Sequence, residues 1–306
     1  MPSFLINLAT GAQGGAVARL LRQHGHGVNA MVRDRNSPAA LALADIEVKL
    51  YEGRFDDEAA VISALEGCSG VFWNLPPDPK ALQGGWLNMT NNIVRAARTV
   101  QSVNTIVFAT SFHVGRYPEW AERLGILEAY YRSKFESEKA VLESGLPHVT
   151  ILRPAWLTNN YLAPFFPRCY PDMPSHTLAT AYKPQTRMPH IAPEDVAKFA
   201  VAAFLHPAKF SGKVIELGHE NMTIEEVART ISKTAGVDVK VHYRTEEEIK
   251  DATGKVLLQM FELLANEEGL EIEDGSLDQY GIELTPFSKY LEGKEEKQAL
   301  RKALKL

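Results

Sequence analysis

Through the first half of the chain, short apolar runs alternate with segments in which apolar positions recur every three or four residues. The runs Ser3–Leu8, Gly27–Val32, Glu47–Tyr51, Gly70–Leu75, Thr105–Ala109 and His148–Leu152 predict strands. Between them, helices are predicted to begin near Gln13, Asp57, Gly84 and Leu127. The first helix, QGGAVARLLRQHG, places Ala16, Val17, Leu20 and Leu21 on one stripe and stops at Gly25. Six strands with intervening helices predict an α/β fold, a Rossmann-like doubly wound parallel sheet that binds ligands at the carboxyl ends of its strands.

After Arg153-Pro154 the rhythm changes. Residues 155–193 are rich in proline and aromatics (NNYLAPFFPRCYPDMP), which predicts loop and short elements suited to a substrate pocket. PEDVAKFAVAAFLHP then reads as a helix, KVIELG as a strand, TIEEVARTISKTAG as a helix capped by Thr223, and VDVKVHYR as a strand. From EEIKDATGKVLLQMFELLANEEG onward, a helix followed by a charged, weakly ordered end is expected. The organisation expected is a Rossmann-type domain over residues 1–154, with a smaller α/β substrate lobe and tail over 155–306, forming one integrated unit.

The chain has 306 residues, 45% of them hydrophobic, enough for a sizeable core. A net charge of −5 and a pI near 6.0 give no general attraction to nucleic acid or anionic lipid, so neither is expected as a direct partner. Cys68 and Cys169 lie far apart without metal-ligand spacing, which fits a reducing compartment. The N-terminus is too short in apolar residues for a signal peptide, and no run is long enough to span a bilayer, so a cytoplasmic protein is expected. His176 and His190 have no companions at metal spacing, and no metal is expected. A monomer and a homodimer are both compatible with the sequence.

Candidate chemistry starts at the first strand-to-helix turn, NLATGAQGG. Thr10, Gly11, Gln13 and Gly14 stand where a pyrophosphate would meet the amides and positive dipole end of a helix. Leu8 stands where such a loop usually has its first glycine. A left-handed backbone there would cost a leucine about 1–2 kcal/mol. After the second strand, VRDRNSP supplies Arg33 and Arg35, which favour a 2′-phosphate and hence NADP(H) over NAD.

These residues resemble the NmrA-like family, an atypical branch of the short-chain dehydrogenase/reductase superfamily that includes NADP-sensing regulators and reductases. The resemblance covers nearly the whole chain and rests on ATGAQGGAVARLL, VRDRNSP, EGRFDDEAAVISALEGCSGVFWNLPP, FATSFHVG, RSKFESEKAVLESGLPHVTILRP and AWLTNNYL. Leu8 and Arg54 depart from the family pattern, at the pyrophosphate and adenine seats respectively. A third departure is a gain: AYYRSK puts Tyr130 four residues before the family's Lys134, on one helix face. This looks like the YxxxK pair of active short-chain reductases, and that resemblance implies a role for each residue. Tyr130 would protonate a carbonyl oxygen as hydride arrives, and Lys134 would support the phenol and hold the nicotinamide ribose. Ser111 would orient the substrate oxygen, with His113 as an alternative proton donor. Tyr131, about a quarter turn away, is expected to pack.

Asn74, at the end of the fourth strand beside Trp73, together with Trp156, Asn160 and Phe165, makes a mixed polar and aromatic set suited to a flat organic substrate. The LPPD turn at Leu75–Asp78 is expected at the same sheet edge. The reading that follows is an NADPH-dependent reductase of a small or medium organic carbonyl or enone compound of secondary-metabolite type. Two others stay open: a lyase, dehydratase or isomerase with a degenerate cofactor seat, and a non-catalytic NADP(H) sensor.

Overall fold

The computed structural model describes residues 1–75, 84–252 and 257–306. The LPPD turn beyond Leu75, and part of the long helix expected after residue 247, lie outside them. In chain order the elements run β1 (Ser3–Ile6), α1 (Ala12–Gln23), β2 (Gly27–Val32), α2 (Pro38–Ala44), β3 (Lys49–Glu52), α3 (Glu58–Leu65), β4 (Cys68–Asn74) and α4 (Gly85–Thr99). They continue with β5 (Thr105–Ala109), α5 (Tyr117–Trp120), α6 (Glu128–Leu142), β6 (His148–Pro154), β7 (Trp156–Leu157), α7 (Phe166–Cys169), β8 (Thr177–Thr180) and β9 (Met188–Ile191). The last are α8 (Pro193–Leu205), α9 (Pro207–Phe210), β10 (Lys213–Leu217), β11 (Glu220–Met222), α10 (Ile224–Ala235), β12 (Lys240–Tyr243), α11 (Glu246–Ala252), α12 (Leu257–Glu268), α13 (Phe287–Tyr290) and α14 (Lys294–Ala303).

Two compact units result. One comprises Met1–Pro118, Ala129–Pro154 and Val196–Glu216; the other comprises Glu119–Glu128, Ala155–Asp195 and Leu217–Leu306. A single cut after Pro154 does not describe this division, because β10 returns to the first sheet and extends it to seven strands, one more than expected. The strand order is β10-β6-β5-β4-β1-β2-β3, with β1 through β6 paired in parallel. The order reverses direction between β1 and β4, and in open α/β sheets that switch point is where the crevice for ligands opens.

The first unit's core follows from the sequence. Strands buried on both faces are continuously apolar: Leu5, Val71, Trp73, Ile106, Phe108 and Ile151 form one buried cluster with Leu65 and Ile93 of the covering helices. The α1 stripe buries Ala16, Val17 and Leu21. Strand ends moved where backbone chemistry intervened. β1 stops at Ile6 because Leu8 turns left-handed, and β3 starts at Lys49 because Glu47 does the same while its N–H closes a turn on the Ala44 carbonyl. The short helix α2 was not anticipated, although Ser37 caps it and Pro38 opens it.

The second unit carries a three-stranded sheet, β11-β9-β7, and a parallel pair, β12-β8. α10 bears the expected Thr223 cap as a full capping box with Glu226, and ends at Gly236 with φ 74°. The chain end is not the loose tail expected: Leu291, Leu300, Ala303 and Leu304 are all buried.

Candidate active site

At the end of β1 the chain turns sharply into α1. Leu8 takes φ 48°, the left-handed region that a glycine usually fills at this point of a dinucleotide loop. Its carbonyl accepts from the Gly11 N–H at 2.8 Å, closing the turn. Asn7, fully buried, ties the turn to β4: its amide Nδ2 donates to the Asn74 carbonyl at 2.5 Å, and its Oδ1 accepts from the Asn74 N–H at 2.7 Å. Asn74, expected as a substrate contact, thus has its backbone committed to the switch point.

The α1 N-terminus suits an anion. Gly11 is its N-cap and, having no side chain, makes no side-chain cap. Its first turn contains no acidic residue, which leaves the helix dipole unopposed there. Gln13 buries an Oε1 that has no hydrogen-bond partner among the described residues. Thr10 lies beside these groups on the exposed rim. Arg33 and Arg35, just past β2, are exposed, with charges available to a phosphate. Arg54 instead folds onto Asp56 in a two-pronged ion pair at 2.7 and 2.8 Å on the surface. These features fit a phosphorylated dinucleotide.

Beyond β5, the structure gathers three of the predicted catalytic residues. Ser111 Oγ lies 2.6 Å from Tyr130 OH. Lys134, one turn along α6 from Tyr130, is buried; its Nζ donates to the Thr110 carbonyl at 3.1 Å and lies 5.0 Å from the centre of the Tyr130 ring. Trp86 at the start of α4 completes the enclosure, its ring edge-on to Tyr130 and 5.4 Å from the lysine nitrogen. Tyr131 packs as expected, and burial pushes its phenol well above its usual pKa. His113 follows in a left-handed conformation, φ 55°, with its backbone N–H on Glu216 at 2.9 Å and its ring tilted against Phe112.

Sequence reasoning missed the charges beneath this segment. Arg153 makes a two-pronged pair with Glu138, closest at 2.6 Å, and reaches Glu216 at 2.9 Å with its other nitrogen. Glu138 in turn accepts from the Thr110 hydroxyl at 2.5 Å. Burial pushes the Glu216 carboxyl up, while the His113 amide and Arg153 pull it back in part. Burial also opposes the charge on Arg153, but its two carboxylates outweigh that and raise its pKa. A Cβ on Gly115 would lie 2.6 Å from the Arg153 guanidinium, so any larger residue there has to displace that side chain.

Of the remaining substrate candidates, Trp156, Asn160 and Phe165 belong to the second unit and are half-buried. Their neighbour Tyr170 is core: it stacks on Tyr161 at 5.0 Å, and Tyr161 stacks on His190. His190 is buried, with Nδ1 donating to the Met188 carbonyl and Nε2 accepting from the Tyr161 hydroxyl, both at 2.9 Å. His176 reaches the Leu304 carbonyl at 3.1 Å. Among the described residues no three His, Cys, Asp or Glu side chains are grouped to hold a metal ion, Cys68 and Cys169 are free thiols, and no helix is long and apolar enough to cross a membrane.

The model of the NmrA-like family matches residues 4–292. The chain belongs to the NmrA-like family. It is 26% identical over 223 residues to quinone oxidoreductase 2 of Escherichia coli, covering 72% of this chain and 71% of that one. An NmrA-like family domain-containing oxidoreductase of Aspergillus hancockii is 25% identical over 241 residues, covering 74% and 71%. Among solved structures, the negative transcriptional regulator NmrA in complex with NAD superposes with a TM-score of 0.76 at 17% identity, over 99% of this chain and 98% of that one. The NADPH complex of the Escherichia coli quinone oxidoreductase gives 0.74 at 24%, over 94% and 98%. The two superpositions show a shared fold.

Proposed function

We propose that this chain is an NADPH-dependent reductase of a small or medium organic carbonyl or enone compound, with Tyr130 as its proton donor. The observation that carries the reading is the 2.6 Å contact between Ser111 Oγ and Tyr130 OH beside the buried Lys134. A bound NADPH supplies hydride to the substrate carbon. The protein's part is the proton: Tyr130 gives its phenolic hydrogen to the oxygen that gains charge, and Ser111 holds that oxygen within reach of the phenol. Lys134, whose charge is buried against the ring, favours the phenolate left behind. Gly11, Gln13 and the N-terminal end of α1 would hold the pyrophosphate, with Arg33 and Arg35 on the 2′-phosphate. Relatives named quinone oxidoreductase and NmrA-like oxidoreductase support a reductase in general.

The cofactor-free acid-base reading drew on Leu8 and Arg54. Leu8 nonetheless has the backbone that the loop needs, and Arg54 is turned to Asp56, so both motives weaken. A sensor would keep the same seat and differ only in turnover. Calorimetric titration with NADPH, NADP and NADH, followed by NADPH oxidation with para-benzoquinone and a panel of enones, separates the three. Tight NADPH binding with Tyr130-dependent turnover supports the reductase, binding without turnover the sensor, and no binding the non-redox enzyme.

A further inference from the structure

Four buried or half-buried charges, Lys134, Glu138, Arg153 and Glu216, lie around the short segment from Thr110 to His113. Lysine and arginine balance the two carboxylates, so the group as a whole carries no excess charge. Its geometry is a clamp with two jaws. Glu138 grips the near end of the segment through the Thr110 hydroxyl, Glu216 grips the far end through the His113 amide, and Arg153 joins the two carboxylates. Between the jaws sits Ser111, on Tyr130, and the Thr110 carbonyl holds Lys134. Glu138 is also one helical turn beyond Lys134 on α6, so both point toward the same segment.

We infer that Glu138, Arg153 and Glu216 are positioning residues that set the Ser111–Tyr130–Lys134 geometry by fixing the Thr110–His113 segment at both ends. The inference rests on the proposed role of Tyr130. Glu138 acts through the Thr110 hydroxyl, Glu216 through the His113 amide, and Arg153 through these two carboxylates. A hydrophobic filler would serve packing equally well but would leave the Thr110 hydroxyl only its long 3.5 Å contact to the Leu152 carbonyl, and the His113 amide without its carboxylate. His113 keeps a left-handed backbone that only surrounding structure can enforce.

The test compares Glu138→Gln, Thr110→Val and the double variant, with Thr110→Ser as the rescue. Turnover of para-benzoquinone with NADPH is measured alongside amide exchange across residues 110–116. Glu138→Gln is expected to lower kcat by about a hundredfold while the KM for NADPH stays within about threefold, as for a misplacement outside the reacting groups. The double variant should lose no more than Thr110→Val alone, Thr110→Ser should recover most of the turnover, and exchange should rise in this segment only. Additive losses, unchanged kcat in Glu138→Gln, or a Thr110→Ser as poor as the valine variant would overturn the inference. If Glu138→Gln fails to fold, the Thr110 valine and serine pair decides alone. Intact turnover in Tyr130→Phe would sink the reductase reading instead, which keeps the two failures distinct.

Discussion

Leu8 and Gly14 face each other across the first turn: a Cβ placed on Gly14 would lie 2.5 Å from the Leu8 carbonyl oxygen and equally close to that of Asn7. Helix α1 therefore lies too close to the end of β1 to leave room for a side chain at Gly14. Leu8 reaches that contact only by adopting φ 48°. Left-handed backbone favours glycine over an L-residue by about 1–2 kcal/mol. Leu8→Gly is therefore expected to be about 1 kcal/mol more stable than Leu8→Ala, the reverse of the usual alanine preference, and to bind NADPH no more weakly than the parent. Gly14→Ala should cost about 1–3 kcal/mol through overpacking. Urea unfolding of the three variants checks the order, and a Leu8→Gly less stable than Leu8→Ala would remove the strain argument.

What the sequence announced and what it hid divide along range of interaction. β2 and β5 were legible to the residue, bounded by a glycine or a turn and filled with apolar residues. β10 reads locally as a strand, but its place beside β6 is a long-range fact that no periodicity encodes. The charged tail misled because its buried Leu300 and Leu304 are few among lysines and glutamates. Tyr130 and Lys134 were visible as an i,i+4 pair, and Ser111 by its place after β5. Glu138, Arg153 and Glu216 carry no local mark, since their partners lie as much as 103 residues away.

For the proposed acid, Tyr130→Phe keeps the ring against Trp86 and removes only the hydroxyl beside Ser111. Its kcat is expected to fall by about 10²–10⁴-fold, the range for losing a positioned proton donor. NADPH affinity should hardly change. Lys134→Met, which also strips the anchor on the Thr110 carbonyl, should reduce both turnover and NADPH affinity. Steady-state rates and calorimetry on the two variants distinguish an acid from an anchor.

Arg33 and Arg35 are the exposed cations just past β2. A charge-assisted contact to a 2′-phosphate contributes about 1.5–3 kcal/mol, so replacing both by serine should weaken NADPH binding by about 10–100-fold and leave NADH binding nearly unchanged. The preference for NADPH should fall, and its salt dependence should fall with it. Equal losses for both cofactors would move the 2′-phosphate contact elsewhere.

Buried His190 gives the second unit a pH signature. Burial lowers its pKa to about 4, against the Met188 carbonyl that favours the charged form. In the unfolded chain the imidazole returns to its ordinary value of about 6.5. Above that value neither state binds the proton and the group has no effect on stability. Between about 6.5 and 4 the unfolded chain binds it and the folded chain does not, so stability falls as pH falls, by about 1.4 kcal/mol per unit and about 3 kcal/mol in all. His190→Gln should be less stable near neutrality, having lost the imidazole that accepts from Tyr161, yet show a flatter decline over this window. Thermal melts of both proteins from pH 7 to about pH 4 give the comparison. Parallel declines would mean that His190 is protonated in the folded protein, with Tyr161 turned to accept rather than donate.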